Sequence, residues 1–436
     1  MAKYVVALSG GADSVCLLLK LLERNEVAIA AHCNFHLRGE ESNRDEMFVR
    51  SLCRERGVEL LVKHFDTRKI VAQSSESIEM VARRLRYEWF TQLVEQYACN
   101  GVAVGHHQED NAETLLLNIA RGTGLHGLVG MQCHGYMGKL VIYRPLLVYS
   151  KAQILSYLQT KGQSFVTDST NADVHYKRNR IRQHIIPEFQ QLNPQFVRTI
   201  NSMSQHLQSA LALYQLKVNE IALSCGLSAV DNAPKYQQLN IEQLLQKPQP
   251  FSILHELLSP LGFTTSQVQS ILTMKTGGIV SSALGIATRN EKMLIFGPPI
   301  AMVENIQLNM PTTIGETLTT TLPNHNIEAT LLCRKDVASL RCQPSETLID
   351  TATIKGQLML RNVAIADRFK PFGMKGNSQL LSDYMTNHHL SRVEKALSVV
   401  LADDCGIVWL VGQRADERVR ITEHTTQILR LKQLKA

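Results

Sequence analysis

The chain has 436 residues, 44% of them hydrophobic, with a formal net charge of +7; that length points to about three domains, and the mild basic excess suits a polyanionic partner without establishing one. No stretch approaches the ~20 continuous apolar residues of a membrane span, and the N-terminus enters a strand pattern at once, so the expectation is a cytoplasmic protein without membrane contact. The nine cysteines include no CxxC pair and no zinc spacing, which argues against a disulfide or zinc framework.

The first element is a β-branched apolar run, YVVAL at 4–8, followed by the short stretch SGGADS. After Asp13, Val15, Leu18, Leu19 and Leu22 repeat at i, i+3, i+4 and i+7, the period of a helix with one buried face. Further strand candidates are VAIAAH (27–32), LLVKHF (60–65), VAVGHH (102–107) and LVIYRP (140–145), separated by amphipathic helical segments. Such alternation predicts an α/β fold with a parallel, doubly wound sheet. Residues 150–225 read as helical, and the run beginning NPQFVRTINSM has the length of a connecting helix. Between 226 and 300, FSILHELLSPLG and SQVQSILTMKT predict helices and IVSSALGIATRNEKMLIFG short strands. Residues 301–335 read as extended strands. The tail is mixed, with LMLRNV and IVWLVGQ as strands and LLSDYMTNHHL as a helix. The expected division is a catalytic domain at 1–214, a central substrate-binding domain at 215–335 and a C-terminal domain at 336–436.

A strand, a glycine-bearing turn and a helix start make an anion site, because two glycines admit the backbone to a ligand and the helix N-terminus offers unpaired N–H groups. The Walker pattern occurs nowhere, and the dinucleotide pattern GxGxxG would need a glycine at Ala12. SGGADS instead resembles the SGGxDS signature of the PP-loop ATP pyrophosphatases, which cleave ATP between the α and β phosphates to adenylate a substrate. Five further stretches follow in order: HCNFHLRGEESNRDE, VARRLRYEWF, GHHQEDNAETLLLNIARGTGLHGLVGM, YRPLL and DSTNADVHYKRNRIR. Together they are similar to the motif set of the bacterial tRNA(Ile)-lysidine synthetase family over residues 1 to about 210. The segment 366–422 resembles the C-terminal domain of the longer members. There Ser378, Gln379 and the run SRVEKA stand where the family usually carries Lys-Lys and then Pro, Arg and Asp.

The resemblance implies a PP-loop sheet of the adenine nucleotide α hydrolase type, followed by two smaller α+β domains. It also implies a two-step reaction on the wobble cytidine (position 34) of tRNA(Ile) with anticodon CAU. ATP adenylates the C2 carbonyl oxygen and pyrophosphate leaves; the ε-amine of free L-lysine then displaces AMP. The lysidine formed pairs with A instead of G, which moves codon reading from AUG to AUA. ATP and Mg²⁺ are the implied cosubstrate and cofactor, tRNA(Ile) and L-lysine the implied partners, with a homodimer as an open assembly state.

In that reading Ser9, Gly10, Gly11, Ala12, Asp13 and Ser14 cradle the phosphates, and Asp13 directs Mg²⁺, a hard cation that takes oxygen ligands. Arg121 relieves charge on the departing pyrophosphate, although an arginine before Gly122 is also an ordinary helix end. Asp110 and Glu113, three apart at a helix start, hold and deprotonate the lysine ammonium, whose pKa is otherwise about 10.4. Asp110 could equally cap the helix. His106 walls the adenylation pocket and His32 faces the nucleotide; neither His106–His107 nor His32–His36 has a third ligand at zinc spacing. Lys177, Arg178, Arg180 and Arg182, with DSTN before them, grip RNA phosphates, the bland alternative being a solvated basic helix. Arg83, Arg84 and Arg86 add to that surface on weaker grounds, and Tyr87 and Trp89 belong to the core. Competing functions are a PP-loop tRNA thiolase, disfavoured by the missing CxxC, and a non-catalytic RNA binder, disfavoured by intact SGGADS and DNAET.

Overall fold

The computed structural model describes residues 2–37, 39–167, 177–230, 233–323, 325–343, 345–374 and 376–435. The chain divides into two compact units, Met1–Tyr214 and Gln215–Ala436. In the first, the elements follow as Tyr4–Ala7 (β1), Ala12–Glu23 (α1), Val27–Asn34 (β2), Glu40–Glu55 (α2), Leu60–His64 (β3), Thr67–Ala72 (α3) and Ile78–Gln96 (α4). Gly101–Ala103 (β4), Gln108–Arg121 (α5), Leu125–Leu128 (α6), His134–Met137 (β5), Leu140–Tyr143 (β6) and Lys151–Thr160 (α7) come next. All five sequence-expected strands form. β5, short, exposed and glycine-bearing, carried no apolar signal and forms by pairing antiparallel to β6.

The sheet order is β3-β2-β1-β4-β6-β5, and β1 pairs in parallel with both β2 and β4. Strand order therefore reverses at β1, and the loops after β1 and β4 flank the resulting crevice, where such sheets hold ligands. β1 is buried on both faces, which its unbroken apolar sequence requires. Tyr4, Val6 and Leu8 enter a cluster with Val15, Leu18 and Leu52 from α1 and α2, whereas Val5 joins Ile29, Trp89, Phe90 and Ile142 on the other side. Tyr87 and Trp89 are core residues, as the sequence suggested. Beyond α7 come a helical turn at Lys177–Arg180, a widened π turn at Ile181–Ile185 and the helices Ile186–Leu192 and Phe196–Ser224. The widened turn directly precedes Pro187, which has no N–H for the carbonyl four residues back.

The second unit holds a five-stranded sheet built from 228–297, with the expected helices at Pro250–Leu258 and Thr265–Leu272. The expected boundary at 335 is corrected by the rest. His325–Cys333 lies between Thr317–Thr321 and Gln427–Lys435 in one four-stranded sheet, which Glu346–Asp350 completes. Val303, Leu308, Ile327, Leu360, Trp409 and Leu431 share a single core. Residues 303–333 thus belong with the tail, and their pairing partners lie about a hundred residues downstream, beyond the reach of local pattern. Ile327, Ala329 and Leu331 are 0%, 0% and 6% exposed. A chain truncated after 335 loses the 427–435 strand and bares these residues on an open sheet edge, so it is expected to aggregate in size-exclusion chromatography. Truncation after 300, which removes the whole sheet, is expected to yield the more soluble product; the reverse order would reinstate a boundary at 335.

Candidate active site

Gly10 sits at φ +95°, a conformation only glycine adopts without strain, and a Cβ there would lie 3.2 Å from Val49 Cγ2. The Ser14 hydroxyl knots the turn: it accepts from the N–H of Ser9 (3.2 Å) and Gly10 (3.1 Å) and donates to the Gly11 carbonyl (3.0 Å). Ser14 is buried and its hydrogen-bonding capacity is used within the loop, so it shapes the cradle instead of facing the phosphates. Ala12 points into the core, which leaves only its backbone for a ligand. Ser9 Oγ stands 3.1 Å from Ser14 Oγ, and the Gly11 N–H donates to Ser9 Oγ at 3.4 Å. Gly105, after β4, passes so close to this loop that a Cβ would lie 3.0 Å from the Asp13 carbonyl carbon.

That approach brings the α5 start against Asp13. His107 is 5% exposed; its Nδ1 donates to Glu109 Oε2 (2.9 Å), and its Nε2 lies 3.4 Å from Asp110 Oδ2 and 3.7 Å from Asp13 Oδ1. Burial pushes the imidazole pKa down, but the hydrogen bond to Glu109 and the charges of Asp110 and Asp13 outweigh it and raise it. Glu109 also accepts the backbone N–H of Lys151 (3.0 Å to Oε2). The Lys151 ammonium, in turn, donates to Asp13 Oδ1 at 2.6 Å. Asp110 does two things: Oδ2 accepts the His107 backbone N–H (3.0 Å), capping α5, and Oδ1 faces the Arg182 guanidinium at 3.5 Å. Glu113, 1% exposed, takes the Arg182 Nε–H at 2.6 Å. Burial pushes the Glu113 carboxyl up while Arg182 pulls it back.

Several expected roles change. Arg121 ends α5, a helix that starts at the ligand edge and runs away from it, so it is exposed and roughly 16 Å along the axis from Asp110. Gly122 beyond it is a left-handed cap at φ 72°, and the helix-end reading holds. Arg182 belongs to the acidic pair, not to an RNA-facing surface, and Arg178 donates to Thr114 Oγ1 (3.2 Å) on the same helix. Their shared face, read correctly from spacing, lies against α5, where both side chains keep solvent exposure; Arg180 is exposed as well. The side chain of Lys177 and the DSTN stretch lie outside the described residues. Arg84 is held by Glu76 (2.9 Å) and Glu88, and Arg86 lies over the Phe35 ring, which takes both from the RNA-facing set. His32 is buried with Nδ1 donating to the Leu8 carbonyl at 2.8 Å, fastening the root of the loop. His106 is held near pKa 4, chiefly by burial. Sequence reasoning missed Lys151, Glu109 and the central place of His107. The only signals were Ser150 and Gln153 at capping-box spacing around Lys151, and a carboxylate two residues after the His pair.

Fold and loop define the class: the PP-loop domain family matches residues 1–189, and the TilS substrate binding domain family matches residues 234–284. A tRNA(Ile)-lysidine synthase of Bacteroides thetaiotaomicron is 36% identical over 98% of this chain and 94% of its own length. Those of Parabacteroides distasonis and Porphyromonas gingivalis are 34% and 33% identical, over 98% and 96% of this chain and 94% and 91% of theirs. The chain belongs to the tRNA(Ile)-lysidine synthase family and is a ligase.

Removing Arg182 strands a buried carboxylate. Arg182→Ala is expected to cost about 1–3 kcal/mol in urea unfolding at pH 7, limited because Arg182 is itself 41% exposed. Arg180→Ala should stay within about 0.5 kcal/mol of the parent. A carboxyl whose folded pKa is raised destabilises the fold above its unfolded pKa, and the penalty fades as pH falls through the folded value. The Arg182→Ala deficit should therefore narrow on acidification.

Proposed function

We propose that this chain forms lysidine on tRNA(Ile) in two steps within the crevice between the β1 and β4 loops. The observation that carries this reading is the meeting of a phosphate loop and an acidic pair at one imidazole, His107, 3.7 Å from Asp13 and 3.4 Å from Asp110. In the first step the N–H groups of the first turn of α1, its dipole and Lys151 receive the triphosphate, and the cytidine C2 oxygen attacks the α-phosphorus as pyrophosphate leaves. Among the described residues no group of three His, Cys, Asp or Glu side chains is arranged to hold a metal ion, but Mg²⁺ is commonly held by one or two carboxylates together with substrate phosphates. Asp13, 32% exposed and with one oxygen occupied by Lys151, fits that partial role. It would hold Mg²⁺, whose chemistry there is neutralisation of charge on the phosphates.

In the second step lysine must be bound as a zwitterion with an extra cation. Asp110, Glu113 and Arg182 sum to one negative charge, complementary to lysine's net positive one: the guanidinium suits the carboxylate and the two acids suit an ammonium. Asp110 Oδ1, which takes no backbone N–H, is the acceptor for the proton lost as the ε-nitrogen attacks C2. The C2–O bond breaks, AMP leaves with that oxygen, and the base gains lysine minus water. The Arg180 side, the residues before it and the C-terminal segment are read as tRNA-binding surface.

Mass spectrometry of tRNA(Ile) carrying a wobble cytidine, after incubation with the protein, ATP, Mg²⁺ and L-lysine, should show that mass gain, and its absence would refute the reading. Asp13→Asn should abolish pyrophosphate release. Asp110→Asn should leave release nearly intact and weaken lysine transfer by about 1.5–3 kcal/mol, the scale of a charged hydrogen bond. Equal damage to both steps by Asp110→Asn would count against a lysine-specific role.

A further inference from the structure

Arg144, in the YRPLL stretch, takes no part in either of those two steps. It follows β6 directly, beside the segment after β4, since Val102 and Ala103 pair with Ile142 and Tyr143 and the Val104 N–H bonds the Tyr143 carbonyl at 2.9 Å. Its guanidinium is built in. Nη1 donates to the Gln132 carbonyl (3.1 Å), and β5 passes close enough that a Cβ on Gly135 would lie 2.7 Å from Nη1. Among the described residues no carboxylate pairs with it. A half-buried cation needs polar partners, and its other side-chain hydrogen bond among the described residues is with an imidazole: Nε donates to His106 Nδ1 at 3.2 Å.

A guanidinium has five N–H donors, no acceptor and no accessible deprotonated form. His106 Nδ1 must therefore present its lone pair, and a neutral ring then carries its one proton on Nε2. A second proton, at Nδ1, would set two donors against each other beside a fixed charge. We propose that Arg144 is a positioning residue that holds His106 as the neutral Nε2–H tautomer, a fixed hydrogen-bond donor to an oxygen of the reacting nucleotide. This rests on the reading of His106 as a wall of the adenylation pocket.

The surroundings act in the same sense. Burial is the largest influence on His106, and the charged groups facing it are Asp110 from α5, which favours protonation, and Arg144, Arg178 and Arg83 from after β6, from the Lys177–Arg180 turn and from α4, which oppose it. With three cations against one carboxylate, the ring is held near pKa 4, so the donor stays the same across the working range of the enzyme. A neutral imidazole that donates without ionising is an established device for polarising a carbonyl.

The test uses the full chain with ¹⁵N-labelled histidine and a pyrophosphate-release assay. In the parent, the His106 imidazole should show an unprotonated Nδ1 and a protonated Nε2 at neutral pH, with no titration between about pH 5 and 8. Arg144→Met should spread the proton over both nitrogens and move the titration up toward the ordinary histidine range. It should also lower kcat for pyrophosphate release at least about tenfold, with KM for ATP little changed. Arg144→Lys, which keeps a cationic donor, should restore the parent tautomer and most of the rate. A parent His106 protonated on Nδ1 or charged at pH 7 overturns the inference, even if Arg144→Met fails to fold. So does an Arg144→Met enzyme with the parent tautomer and pH profile. His106→Ala with undiminished pyrophosphate release would instead remove the underlying assignment of His106.

Discussion

The site depends on one buried imidazole among three carboxylates. His107 has Glu109 at 2.9 Å, Asp110 at 3.4 Å and Asp13 at 3.7 Å. Three acids drawn together would repel one another unless cations and hydrogen-bond donors face them. The imidazole between them, the Lys151 ammonium 2.6 Å from Asp13 and the Arg182 guanidinium 3.5 Å from Asp110 let them coexist. Burial pushes the Glu109 carboxyl up, but its hydrogen bonds from His107 and the Lys151 N–H outweigh this and hold it below the ordinary range. The same contacts tie α1, the α5 start and the α7 start together, so a ligand at any of the three is felt at the others through side chains in direct contact.

The sheet makes this meeting possible. Because order reverses at β1, the loops after β1 and β4 are neighbours, and Gly105 removes the side chain that would hold them apart. Helices that begin at this edge diverge from it, so only residues in the first two turns of α1, α5 or α7 can serve the crevice. Asp13, Asp110, Lys151 and, one turn further in, Glu113 satisfy that condition, and Arg121 does not. Arg182 reaches the site from a different direction, from the widened turn before Pro187.

Legibility in the sequence followed the range of the interaction. The strand–loop–helix start, the alternating pattern and the DNAET carboxylates are local signals, and the structure keeps all of them. Whether Arg182 faced RNA or Glu113 could not be read, because a shared helical face says which residues point together and not toward what. His107 looked like half of an incomplete metal pair, since its three acidic neighbours come partly from 94 residues upstream, at Asp13. The placement of 303–333 failed for the same reason: its sheet is closed by Gln427–Lys435.

If the His107 ring, which stands between Asp13 and Asp110, positions the carboxylates of both proposed steps, its loss must damage the two together. Rapid-quench measurement of adenylate formation and of lysine transfer in His107→Gln, with tRNA(Ile), ATP, Mg²⁺ and L-lysine, tests this directly. Both rate constants should fall, each by at least about tenfold, because Asp13 and Asp110 both lose the ring that stands between them. Loss of one step with the other at the parent rate would contradict it.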